Sequence, residues 1–293
     1  MVLYKASLQR LVHKLVLQPR NFRRFPSVRK QTWASDMSKE RSGLGKALME
    51  ASRAGGVDGV LAAMDKFAKE LERATNEGDS KEMSKEQRTL QYVLQNASRG
   101  DPDSVLATMD TYAREQEWAM HVGDSKGGIM DSFVKEAAPQ TMLELGTYMG
   151  YSAVRTARLL PPGAKFITLE YFKEVAAVAK EIISFAGLQD RVIQVISESS
   201  EAISQMKTKY NIETFDMVFI DHFGDFYLRD IKLLEENNLL RKGTVVVADN
   251  IVHPGAPEYA DYVRTCGKYD STFHEGELYG GKPDGLEKSV YLG

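Results

Sequence analysis

One cysteine, Cys266, is present in 293 residues. It excludes an internal disulfide and fits a free thiol in a reducing compartment. No apolar run approaches the roughly 18 residues that a membrane-spanning helix needs. Excess basic charge is also missing. Lys and Arg number 38 against 41 Asp and Glu, for a net charge of −3, so no nucleic-acid partner is expected. Acidic residues are absent from positions 1–35, where Lys5, Arg10, Lys14, Arg20, Arg23, Arg24, Arg29 and Lys30 stand. That leader also carries Leu3, Leu8, Leu11, Leu15 and Val16 at helical spacing. A basic, acid-free, amphipathic leader has the composition of a mitochondrial transit peptide. The alternatives are an exposed extension or a membrane-surface helix. The expected location is therefore cytoplasmic, or mitochondrial if the leader directs import.

What the chain does contain is 43% hydrophobic residues, enough for a substantial core. Its amino-terminal third repeats. Met37-Ser38-Lys39-Glu40 recurs as Met83-Ser84-Lys85-Glu86, and Gly78-Asp79-Ser80-Lys81 recurs as Gly123-Asp124-Ser125-Lys126. Asp58 to Asp65 matches Asp103 to Asp110 in the same way. Two copies, 36–81 and 82–126, each read as helix, turn, helix, which is too few for a solenoid. The second copy ends in apolar Trp118-Ala119-Met120-His121-Val122, suited to covering a ligand. The first has polar Arg73-Ala74-Thr75-Asn76-Glu77 there and is expected to bind nothing.

From 127 to 293 the pattern is α/β. Candidate strands fall at 141–145, 165–170, 191–196, 215–221, 243–248, about 270–275, and 286–292. Candidate helices fall near 126–137, 151–160, 173–186, 198–209, 227–238 and 257–266. Buried runs such as Val245-Val246-Val247 predict a mostly parallel, Rossmann-like seven-stranded sheet with helices on both faces. The last two strands have no helix between them and predict an antiparallel edge hairpin.

The densest signal is Leu143-Glu144-Leu145-Gly146-Thr147-Tyr148-Met149-Gly150-Tyr151-Ser152. It reads as a strand, a tight turn and a helix start, at the sheet end where ligands bind. The glycines are expected to let the backbone approach a ligand. Glu170, 24 residues after Gly146 at the end of the next strand, suits the two hydroxyls of a ribose. Asp221 ends the fourth strand, and Asp249 with Asn250 ends the fifth. Neighbouring parallel strands bring those three oxygen ligands to one rim, a donor set suited to Mg²⁺.

These segments, with Phe185-Ala186-Gly187-Leu188-Gln189-Asp190, Leu239 to Thr244 and Asp284-Gly285-Leu286-Glu287-Lys288, resemble catechol O-methyltransferase. The resemblance runs from about Lys85 to Gly293, in order and at near-family spacing. It implies S-adenosylmethionine, a divalent metal and a catechol as methyl acceptor. By resemblance the cofactor contacts are Met120, Val122, Glu144, Gly146, Tyr148, Ser152, Glu170, Ser199, Asp221 and His222. The magnesium ligands are Asp221, Asp249 and Asn250, with Asn250 also touching substrate. Glu277 is the implied acceptor for the free hydroxyl, with Glu275 as an alternative because the spacing to Asp284 is one residue long. Glu198 and Ser200 depart from the small or amide residues the family prefers near the adenine. The family reads Asp-His-Trp-Lys-Asp after the fourth strand, with the lysine as general base. Here the run is Asp221-His222-Phe223-Gly224-Asp225, so the base position has no side chain. The expected activity is methyl transfer to a Mg-chelated catechol by a monomer. Two alternatives remain: another vicinal diphenol as acceptor, or a cofactor-binding member without turnover.

Overall fold

The structure, a computed structural model, describes residues 83–293. The expectations for the leader and the first repeat copy lie outside the described residues. Among the described residues, seventeen elements follow in chain order. The helices are α1 (Lys85–Asn96), α2 (Pro102–Glu115), α3 (Gly123–Ala137), α4 (Tyr151–Ala157), α5 (Lys173–Phe185), α6 (Ser199–Tyr210), α7 (Tyr227–Glu236) and α8 (Pro257–Thr265). The strands are β1 (Thr141–Leu145), β2 (Lys165–Glu170), β3 (Ile193–Ile196), β4 (Phe215–Ile220), β5 (Leu240–Ala248), β6 (Tyr269–Leu278) and β7 (Lys282–Tyr291). A 3₁₀ turn spans Gly224–Phe226 and a π turn spans Ile251–Gly255.

Local chemistry explains where the helices begin. Ser84 caps α1 reciprocally with Gln87: the Gln87 N–H donates to Ser84 Oγ, and the Ser84 N–H donates to Gln87 Oε1. The Asp101 carboxylate accepts from the N–H groups of Asp103 and Ser104, and Pro102 fixes the first residue of α2.

The sheet runs β3-β2-β1-β4-β5-β7-β6. Its first five strands are parallel; β7 pairs antiparallel with both β5 and β6. The edge hairpin is longer than the sequence pattern indicates. β6 and β7 pair from Tyr269↔Tyr291 to Leu278↔Lys282 around a turn holding Gly280 and Gly281 at positive φ. Polar residues in that stretch hide the period-2 signal.

Alternation along the strands divides the core in two. Leu143, Leu145, Ile167, Leu169, Val218, Ile220, Val246 and Ala248 pack with α6, α7 and α8. Met142, Phe166, Met217, Phe219, Val247 and Leu286 face the other way, against α2, α3, α4 and α5. Side chains on a strand alternate between faces. Glu144, Thr168 and Glu170 therefore share the α3–α5 face with Met142 and Phe166. That face carries the site, at the carboxyl end of the parallel strands.

Candidate functional site

Strand register sets the rim. Ile220 pairs with Ala248, so the next residues, Asp221 and Asp249, leave neighbouring strands side by side. The Asp249 N–H donates to Ile220 O at 3.0 Å, and the Asp221 N–H donates to Leu145 O at 2.8 Å. Asp249 is buried, whereas Asp221 and Asn250 are partly exposed. Burial raises the Asp221 carboxyl well above its usual range, and repulsion from Asp249 adds to this while Lys126 opposes it. Burial likewise raises Asp249, to about 6, against the pull of Lys126. Two crowded carboxylates that resist ionising together suit a cation. Among the described residues no three His, Cys, Asp or Glu side chains are grouped to hold a metal by themselves. The third candidate donor is the amide of Asn250, which has αL backbone at φ 57°. Two carboxylates and an amide oxygen fit a hard divalent ion that keeps open positions.

Two residues behind the rim, outside the donor set inferred from sequence, hold it. Lys126 on α3, fully buried, donates to Asp249 Oδ1 at 2.5 Å and to Asp284 Oδ2 at 2.7 Å. Asp284 on β7 also accepts from Asn250 Nδ2 at 3.1 Å and from the N–H groups of Val252 and His253. Burial would lower the Lys126 pKa, but the two carboxylates outweigh it and raise it. Lys126 is thus a fixed cation and cannot serve as a base. In sequence it stands among polar residues at a helix start, with nothing to mark it as interior.

Around the glycine turn, Glu170 is the hub. Its Oε2 accepts the Tyr148 N–H at 2.9 Å, and its Oε1 accepts those of Tyr171 and Phe172 at 2.8 and 2.9 Å. Burial raises this carboxyl, and the three N–H donors oppose the shift. Glu144 is fully buried, and burial raises its carboxyl to about 7. Its Oε2 accepts from Thr168 Oγ1 at 2.5 Å, while its Oε1 has no partner among the described residues. An unpaired buried acceptor beside the turn fits a ligand with a cationic group.

The glycines of the turn also meet packing demands within the chain. A Cβ on Gly146 would stand 2.2 Å from Asp221 O, so the missing side chain makes room for the β4 exit. A Cβ on Gly150 would meet Ala179 O at 3.3 Å, so that glycine serves the approach of α4 to α5.

The remaining residues divide between the site and its surroundings. Ser152 and Ser199 are buried, and Tyr148 is mostly so. Ser199 Oγ accepts from Arg229 at 2.6 Å. Glu198 has a structural explanation: it caps α6 through the Ser200 N–H at 2.8 Å and pairs with Arg229 at 2.7 Å. His222 stacks on Tyr227 with ring centres 5.2 Å apart and shares Nε2 with Asp230 Oδ2 at 2.7 Å. Bonded to a carboxylate, Nε2 is the donor, and Nδ1 has no partner among the described residues. Met120 is exposed, while Val122 is packed inside the core. His121 between them stacks on Tyr151, 4.9 Å between ring centres, and burial lowers its pKa to about 3.

Glu277 is exposed, and its carboxylate makes no hydrogen bond with Asp221, Asp249 or Asn250. Its N–H donates to Ser125 Oγ at 3.2 Å, which ties the strand to α3 beside Lys126. Glu275 lies two residues away on the same strand face, opposite Gly285 and further from the hairpin turn. Gly224 opens the 3₁₀ turn with φ outside the left-handed region, and a Cβ there would meet only Gly255 O, at 3.2 Å. Phe223 beside it is exposed.

A family model described as O-methyltransferase matches residues 96–264. Catechol O-methyltransferase B of Danio rerio is 52% identical over 208 residues, covering 71% of this chain and 79% of the relative. Catechol O-methyltransferase of Mus musculus is 53% identical over 211 residues, covering 72% and 80%. The transmembrane O-methyltransferase of Homo sapiens is 39% identical over 211 residues, covering 71% and 72%. Among the described residues of the present chain, no helix is long and apolar enough to cross a membrane. For the fold, a Bacillus cereus O-methyltransferase solved with SAH aligns with TM-score 0.55 at 23% identity, over 75% of this chain and 96% of that one. TomG from Streptomyces achromogenes, solved with SAM, gives 0.57 at 21% identity, over 72% and 100%.

Proposed function

The chain belongs to the catechol O-methyltransferase family, and from that premise we propose that it transfers a methyl group from S-adenosylmethionine to one hydroxyl of a catechol held at a Mg²⁺ ion. The observation that carries the metal reading is the pairing of Asp221 and Asp249 in strand register, with Asn250 adjoining. When bound, the ion supplies Lewis-acid chelation of adjacent hydroxyls, and the cofactor supplies a sulfonium methyl.

The chain's own residues have separable roles in this reading. Glu170 binds the ribose through oxygens already oriented by three backbone N–H groups. His222, with its ring fixed by Asp230, and Ser199, held by Arg229, border the adenine. Glu144, Tyr148 and Ser152 surround the cationic end, beside the unpaired Glu144 Oε1. Asp221 and Asp249 supply negative charge and Asn250 an amide oxygen. Glu277 accepts a hydrogen bond from the unreacted hydroxyl. Gly224 offers no proton acceptor, so ionisation of the reacting hydroxyl depends on the metal and on water. Placement of donor and acceptor supplies the main acceleration.

A diphenol panel tests the substrate assignment. Vicinal diphenols should accept methyl, and resorcinol and simple phenols should not. Equal methylation of an isolated phenol would remove chelation from the account.

A further inference from the structure

Lys126 holds a buried positive charge against a rim assigned to a cation. Its Nζ lies between Asp249 Oδ1 and Asp284 Oδ2, and its side chain is fully buried. The fold is shaped around this stem. A Cβ on Gly276 would stand 2.6 Å from Lys126 Cγ, and Gly276 is the register partner of Asp284. Glycine at that position lets β6 close over the lysine.

Asp284 links the two sides of the assembly. One oxygen, Oδ2, takes both Lys126 Nζ and Asn250 Nδ2; the other takes the N–H groups of Val252 and His253. Holding the Asn250 amide by its NH₂ turns its carbonyl oxygen the opposite way. Asp249 is fixed by Lys126 on Oδ1, which also accepts the Asn250 N–H at 2.7 Å. Asp249 and Asp284 thus meet one ammonium, whose charge also acts on Asp221 through space.

We propose that Lys126 is a built-in counter-cation that holds Asp249 and Asp284 in place and weakens divalent-metal binding, while Asp284 strengthens it by orienting Asn250. The proposal rests on the reading that Asp221, Asp249 and Asn250 hold the metal. A fixed positive charge close to the ion repels it. A carboxylate that aligns a ligand from behind typically alters metal affinity 10–100-fold.

The test is the dissociation constant for Mn²⁺ by electron paramagnetic resonance, with Mg²⁺ by competition, for the full chain and for Lys126→Met and Asp284→Asn. Lys126→Met should bind Mn²⁺ at least tenfold more tightly and melt lower in chelator, with metal restoring much of the loss. Asp284→Asn should bind at least tenfold more weakly. The opposite signs separate this role from a purely structural one, which would lower stability in both variants without improving affinity in either. Unchanged or weaker binding in Lys126→Met would overturn the proposal. If that variant does not fold, unchanged affinity in Asp284→Asn overturns it. No Mn²⁺ binding by the unsubstituted chain would overturn the metal-site reading and this proposal together; binding that Lys126→Met fails to tighten overturns this proposal alone.

Discussion

Thr168 donates its hydroxyl to the carboxylate of Glu144 at 2.5 Å, across a pair that also matches in strand register. The bond, with the Ser152 hydroxyl, favours ionisation of a carboxyl that burial nevertheless raises to about 7. Unfolded, the same carboxyl titrates near its ordinary value of 4.5. The folded chain therefore retains this proton to higher pH. Glu144 costs no stability below about pH 4.5; the cost grows as pH rises and is complete above about 7. The shift corresponds to about 3 kcal/mol as an upper bound. In urea denaturation without cofactor, Glu144→Gln should gain on the unsubstituted chain as pH rises from 5 to 8. A difference independent of pH would contradict a buried, proton-retaining Glu144.

Glu170→Gln should weaken cofactor binding. A neutral amide loses charge-assisted bonds to a ribose, worth about 1.5–3 kcal/mol, or roughly 10–150-fold in Kd. Titration calorimetry with S-adenosylmethionine reads this directly. An unchanged Kd would remove Glu170 from the ribose site.

Gly146 and Gly163 form a contrasting pair. Both have positive φ, 103° and 80°. A Cβ at Gly146 would collide with the Asp221 backbone, whereas nothing lies within 4 Å of one at Gly163. Gly146→Ala should cost about 3 kcal/mol or more, from strain and overpacking together. Gly163→Ala should cost about 1 kcal/mol, from strain alone. Equal losses in thermal denaturation would contradict the close approach at Gly146.

Gly224→Lys should raise turnover near neutral pH. An absent general base typically costs about 10²–10⁴ in rate. The backbone there accepts any residue, and Gly255 O need give way only by a few tenths of an ångström. The unsubstituted chain should show turnover rising with pH as the acceptor hydroxyl ionises unaided. A Gly224→Lys rate no higher than the parent's, with cofactor still bound, would show that a base at this position gives no gain.

Most of the parallel sheet was legible because its strands are short apolar runs bounded by polar turns. The ends of β1 and β2 fall at Leu145 and Glu170 as the pattern indicates. The hairpin was only half legible. Phe273, Glu275 and Glu277 alternate weakly, and Lys282 to Gly285 carry no strand signal, yet all pair. At the rim, Asp221, Asp249 and Asn250 could be inferred because strand ends converge in any parallel sheet. Lys126 and Asp284 could not: their partners lie 123 and 34 residues away, and only three-dimensional closure brings them together. The glycine turn shows the opposite limit, since sequence marks where Gly146 is needed without showing what it must avoid.

Methyl transfer to a metal-chelated catechol can be read in a single assay. Labelled methyl transferred from S-adenosylmethionine to catechol by the full chain is measured with Mg²⁺ and with excess chelator, alongside Asp249→Ala. The expected result is O-methylated catechol formed slowly with Mg²⁺, and turnover lower by orders of magnitude in chelator and in Asp249→Ala. Undiminished transfer in chelator, or no transfer with cofactor and Mg²⁺ both bound, would contradict it.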